Sequence, residues 1–103
     1  MQNKLFLREI DKQRLLKLLA DYLPEVNAWA YGSRVNGGAH DTSDLNVVLR
    51  VRDLSKIPLA QFNAFLQTIS DSNIPILVEA RDWARLPESF HQEVLRNYVE
   101  LTD

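Results

Sequence analysis

Cysteine is absent from this chain of 103 residues. That excludes disulfide cross-links, thiolate nucleophiles and cysteine-based metal centres, and it fits a reducing compartment, so a cytoplasmic location is expected. Histidine occurs only at His40 and His91, and two scattered imidazoles do not make a metal site. Neither sign of charge dominates: 12 Lys and Arg stand against 14 Asp and Glu, a net charge of −2. A protein built to coat nucleic acid would be basic, so direct nucleic-acid binding is not expected, whereas a small charged ligand such as a nucleotide is compatible. The longest apolar runs are about five residues against the ~20 needed to span a bilayer. Leu5 to Leu7 is too short for a leader and is followed by charges, so no membrane role is expected. Glycine is scarce, confined to positions 32, 37 and 38, and no repeat or linker is visible.

What is present suits one globular domain, with 46% apolar and 25% charged residues. Asp11 is a candidate cap for a helix to about Tyr22, with Leu15, Leu18, Leu19 and Tyr22 on one face and Pro24 as its stop. Asn27 to Tyr31 is a short strand candidate that stops at Gly32, and Arg34 to Thr42 has the polarity of a loop. Leu45 to Val51 is nearly continuously apolar, as expected of a strand buried on both faces. Pro58 precedes helically spaced Leu59, Phe62, Phe65, Leu66 and Ile69. Ile74 to Glu79 has the pattern of a third strand, which Pro75 restricts to an edge. Pro87 to Asn97 predicts a last helix with Phe90, Val94 and Leu95 inward, and Tyr98 to Leu101 a terminal strand. The expected class is α/β or α+β, with a mixed sheet of three to four strands and helices packed on it.

Chemistry is concentrated in two short stretches. Gly32 allows a sharp turn and close approach of another group to the backbone. Ser33 adds a hydroxyl and a backbone N–H, and Arg34 a guanidinium suited to phosphate oxygens. Ten residues after Ser33, Ser43-Asp44-Leu45-Asn46 puts two oxygen-bearing side chains two apart, on one face of a strand, a spacing that can hold Mg²⁺. Glu79 follows Ile76-Leu77-Val78, where an ionised carboxylate needs solvent, a partner or a metal. If its strand neighbours the second, Glu79 projects beside Asp44 and Asn46, as a metal ligand or proton acceptor. Pairing with Arg81, which shares its parity, is an equally good alternative. Asp82 has the opposite parity and is the weaker candidate. Trp29 and Trp83 are expected in packing, Arg50 and Arg52 on the exposed side of a strand end, and His40 in solvent.

Gly32-Ser33, ten residues, Asp44-Leu45-Asn46 and a later acidic Glu79 together resemble the minimal nucleotidyltransferase family within the DNA polymerase beta-like superfamily. Trp29 to Tyr31, Arg34, Gly37 and Asp82-Trp83-Ala84 to Phe90 look like its short stand-alone members, so the likeness spans roughly residues 9 to 101. The resemblance implies one nucleotidyltransferase-like domain over residues 1–103 that transfers AMP from ATP to a hydroxyl. In it Gly32, Ser33 and Arg34 bind the nucleotide, while Asp44, Asn46 and Glu79 are the catalytic positions and ligate two Mg²⁺ ions. It further implies a HEPN-domain partner, modified or neutralised as in a toxin–antitoxin pair, and so a homo- or hetero-oligomer.

The chain departs from the family pattern at two of its three acidic positions. Asn46 has the shape of aspartate without its charge, and Glu79 carries an extra methylene. Two readings therefore stand: an adenylyltransferase with a weakened two-metal site, or a degenerate member that binds and neutralises a HEPN-type partner without chemistry.

Overall fold

The computed structural model describes residues 5–36 and 43–102. Gly37, Gly38, His40, Asp41 and Thr42 of the loop lie outside them. Helix α1 (Glu9–Tyr22) leads into strand β1 (Val26–Tyr31), a short helix α2 (Ser33–Asn36) and strand β2 (Leu45–Val51). Helix α3 (Leu59–Ser70), strand β3 (Val78–Asp82), a 3₁₀ turn (Trp83–Arg85), helix α4 (Glu88–Arg96) and strand β4 (Tyr98–Glu100) follow. The four strands form one mixed sheet in the order β3-β2-β1-β4, with β2 and β3 parallel and the other pairs antiparallel.

The expected class and strand number are found, and most differences lie in where elements begin. α1 starts two residues before Asp11, which is not its cap. The Asp11 carboxylate is instead buried in the first turn, accepting from Arg8 Nε at 2.8 Å and lying 3.5 Å from Arg14 Nη1. An acidic side chain is favourable beside the free N–H groups of a helix start, and residues three away on either side reach it. The buried stripe runs Leu15, Leu19 and Leu23, leaving Leu18 at its margin and Tyr22 exposed. In α3, Phe65 and Ile69 are buried, while Leu59 at the helix start is exposed. Residues 33–36 are helical rather than loop.

Ile74 to Leu77 does not form a strand. Pro75 has no N–H to give a ladder, and the first bond to β2 is Leu45 N–H donating to Leu77 O at 2.9 Å. β3 therefore begins at Val78, on the edge of the sheet, and its second residue is Glu79.

The pleat sorts the sheet into two faces. One packs Ala28, Ala30, Leu45, Val47 and Leu49 against Leu15 and Leu19 of α1 and Phe65 and Ile69 of α3. The other carries Trp29 and Val48 beneath Trp83 and Val94 of the final turn and helix. Burial of β2 on both faces matches its apolar run. In α4 Val94 is buried and Phe90 partly so, one turn apart, while Leu95, predicted inward, is half exposed because it lies off that stripe.

The second face also holds an aromatic stack. Trp29 lies over Tyr98 with centroids 4.3 Å apart, and edge-on to Trp83 at 5.8 Å. Arg50 is not at an exposed strand edge, as its sequence pattern suggested. Its guanidinium sits 4.4 Å from the Trp29 ring and 4.7 Å from Trp83, and cation–π attraction offsets the loss of water at its buried Nε. His91 stacks on Trp83 at 3.8 Å, donates from Nε2 to the Trp83 carbonyl at 2.6 Å, and has a partner in its local sequence after all, with Nδ1 3.5 Å from Glu88 Oε2. Asp82 points away from this face. Its buried carboxylate accepts from Ile57 N–H at 2.9 Å and Ala84 N–H at 3.2 Å and pairs with Arg85, a structural role.

Candidate active site

Strand direction brings the two motif stretches and the later carboxylate to one end of the sheet. β1 finishes there at Tyr31, while β2, antiparallel to it, and β3, parallel to β2, both begin there. Tyr31 pairs with Asn46, and Asn46 pairs with Glu79. Paired residues share a face, so Tyr31, Asn46 and Glu79 form a row on the α4 side, with neighbours about 5 Å apart. Tyr98, the partner of Tyr31 on β4, completes it. Had β3 begun with Ile74 opposite Leu45, Glu79 would have lain opposite Arg50, near the other end of β2. The late start of β3 is what puts Glu79 next to Asn46.

Gly32 lies against Asn46. Its backbone has φ +84°, the left-handed region that side chains resist, and a Cβ placed on it would lie 2.7 Å from Asn46 Nδ2. The Gly-Ser turn and the Asp-x-Asn strand entry are therefore in contact although the loop between them is long. Ser33 opens α2 and is half buried. Asp44, one residue before β2 and two before Asn46, has the parity of the same face; it is exposed and makes no ion pair among the described residues.

Arg34 is placed differently from what a phosphate ligand requires. It is 5% exposed, and its Nε and Nη1 donate to the carbonyls of Ser43 at 2.9 Å and Phe6 at 2.7 Å. Phe6 N–H returns a bond to Arg34 O at 2.7 Å, and the Phe6 ring lies 5.4 Å from the guanidinium. Arg34 thus ties the segment before α1 to the residue preceding Asp44. The Arg34→Ala variant strands two carbonyls, and at about 1–3 kcal/mol for each unmet buried group a destabilisation of about 2–6 kcal/mol is expected in urea unfolding.

Glu79 and Arg81 do pair, as the sequence alternative had it. Nη2 of Arg81 is 3.8 Å from Glu79 Oε2, with both side chains nearly half exposed. Arg81 also lies 5.7 Å from the Phe90 ring, which meets Tyr31 edge-on at 5.8 Å. Burial pushes the Tyr31 phenol above its ordinary pKa, and the adjacent Arg81 guanidinium offsets part of that rise. Tyr31 and Arg81 as neighbours of Glu79 were not recognised from sequence as parts of one site; the readable signal was parity, since Arg81 is two residues from Glu79. A cavity of about 420 Å³ lies elsewhere, between Phe6 to Arg8, Asp11, Arg34 and Pro75-Ile76, and includes none of Asp44, Asn46 or Glu79.

No family model matches the chain. A protein of Haemophilus influenzae described as a probable protein adenylyltransferase, MntA, is 31% identical over 88 residues, covering 84% of this chain and 74% of that protein. A crystal structure of a toxin–antitoxin with AMP-PNP superposes with a TM-score of 0.72 at 18% identity, over 88% of this chain and 72% of the other. A complex of tri-AMPylated Shewanella oneidensis HEPN toxin with MNT antitoxin gives a TM-score of 0.69 at 14% identity, over 93% and 72%. At these identities the structural likenesses establish the fold.

Proposed function

The chain belongs to the minimal nucleotidyltransferase family, and on that premise we propose that it transfers AMP from ATP to a hydroxyl of a HEPN-type partner, as the antitoxin of a toxin–antitoxin pair. The observation that carries this reading is the contact of Gly32 with Asn46, in register with Glu79, at one end of the sheet. Support comes from the H. influenzae relative, described as a protein adenylyltransferase, and from structural neighbours that include AMP-PNP and an AMPylated HEPN toxin.

Asp44 and Glu79 offer carboxylate oxygens and Asn46 an amide oxygen, the donor chemistry that Mg²⁺ takes together with substrate phosphates. Among the described residues no cluster of three or more His, Cys, Asp or Glu could hold a metal. The fit is therefore to a hard ion held jointly by Asp44, Asn46, Glu79 and the nucleotide. Held there, such an ion would supply positive charge to the phosphates during an in-line displacement. Gly32 lets the terminal phosphates approach the backbone, and Ser33 supplies a hydroxyl and an N–H there. Arg34 acts as a positioning residue, holding the approach to Asp44 through Ser43 O. In this reading Glu79 accepts the proton of the acceptor hydroxyl. Among the described residues no helix is long and apolar enough to cross a membrane; a cytoplasmic location is part of the proposed reading.

The test uses ATP labelled at either end. With the partner and Mg²⁺, α-label is expected to remain on the partner and γ-label to leave with pyrophosphate. Label on the partner from the γ position, or from neither, contradicts the reading.

A further inference from the structure

The residues that face the candidate site include one that neither the family pattern nor the proposed chemistry uses. Arg81 lies on β3 two residues beyond Glu79, on the same face, opposite Val48 of β2. Its Nη2 is 3.8 Å from Glu79 Oε2, and its guanidinium is flanked by Phe90 and the Tyr31 phenol. Three neighbours from three elements thus hold a permanent positive charge at the edge of the row Tyr31, Asn46 and Glu79.

The charge at this end of the sheet is then unlike that of a site with three carboxylates. Among the described residues of the site, Asp44 and Glu79 contribute −2, Asn46 nothing and Arg81 +1, a sum of −1. A second dication placed against Glu79 would sit beside a guanidinium. The pair that binds Arg81 is half exposed, and ion pairs of that kind contribute little, so the guanidinium turns towards a stronger anion at small cost. Its five N–H donors match phosphate oxygens.

We propose that Arg81 is a built-in cation of the nucleotide site: it takes the place of a second divalent ion, binds a phosphate oxygen of the nucleotide, and leaves the site with a single metal ion. This rests on the nucleotidyltransferase reading above and specifies how its site is charged. It also explains the neutral Asn46, because a third carboxylate is not required where one of the two positive groups is covalently part of the chain.

The test reads binding, not turnover. Mn²⁺ serves as a paramagnetic probe for Mg²⁺, and AMP-PNP as the nucleotide. With AMP-PNP saturating, the wild-type chain is expected to bind one Mn²⁺, and the Asn46→Asp/Arg81→Gln double variant two. With metal removed by EDTA, wild type retains weak AMP-PNP binding, Arg81→Gln loses about tenfold of it, and Arg81→Lys, which keeps the charge without the fork of donors, recovers part of the loss. Arg81 is exposed on an edge strand, so circular dichroism and melting should match wild type. Two Mn²⁺ on the wild-type chain, or equal metal-free affinity in Arg81→Gln, overturns the proposal and leaves the enzyme reading standing. No AMP-PNP binding by wild type under any condition overturns both.

Discussion

An Asp44→Asn variant is expected to fold normally and to transfer AMP about a thousandfold more slowly. The fold is spared because Asp44 is exposed, precedes β2 and makes no ion pair among the described residues; surface changes of this kind shift stability by roughly 0.5 kcal/mol or less. Chemistry is not spared, because the site has little negative charge to lose. Asn46 is already neutral and Glu79 is shared with Arg81, so Asp44 is the one carboxylate with no competing cation among the described residues. Losing one of two anions that hold a dication costs on the order of 4 kcal/mol, and that is about three decades in rate. Single-turnover transfer of α-label, alongside a thermal melt of the same preparation, separates the two effects. A slow variant with an unchanged melting temperature is the expected outcome; a variant that also melts early would assign Asp44 to the fold.

The Gly32→Val substitution should damage fold and site together. At φ +84° a β-branched residue is strained, by roughly 1–2 kcal/mol for the backbone alone. Its first side-chain atom would also meet Asn46 Nδ2 at 2.7 Å. Relief requires Asn46 to swing away, and that displaces one of the three groups of the row. In a chain of this size a loss of about 2 kcal/mol lowers the melting temperature by roughly 10 °C. Nucleotide binding should fall below detection in a titration that the wild-type chain passes. Gly32→Ala carries the same strained φ and the same Cβ contact with Asn46, so its loss should approach that of valine, at about 2 kcal/mol.

The fold was legible where period and punctuation agreed. Leu45 to Val51 is apolar on alternate and adjacent positions alike, and it is the strand buried on both faces. Pro58 and Pro87 each stand immediately before a helix. Glycine at position 32 marked the end of β1, and it takes the left-handed conformation between Tyr31 and the helix that starts at Ser33. Pattern misled where an apolar run met a proline: Ile74 to Leu77 looks like a strand, but its missing donor delays the ladder to Val78.

The site was legible as spacing, not as neighbourhood. Gly32, Asp44, Asn46 and Glu79 could be selected from types and intervals; the register of β2 and β3 sets Asn46 beside Glu79, and the turn after β1 brings Gly32 against Asn46. What spacing could not give was the charge state of that row. Arg34 looked like a phosphate ligand because guanidinium groups suit phosphate, yet its donors are engaged by the carbonyls of Phe6 and Ser43. Arg81 was visible only as a rival partner of Glu79. Its closeness to Tyr31 and Phe90 depends on α4 folding back over the sheet, which no local pattern encodes. Arg50 was misplaced for the same reason, since Trp29 and Trp83 meet around it only after the chain has packed.

Whether this chain modifies its partner or only binds it is read most directly from the partner's intact mass. The HEPN-type protein is incubated with ATP, Mg²⁺ and either the wild-type chain or Asp44→Asn, and both samples are then weighed. Mass increments of whole AMP units with the wild-type chain, absent with Asp44→Asn, are the predicted result. A partner left at its original mass by both chains, yet bound and neutralised by both, would contradict it.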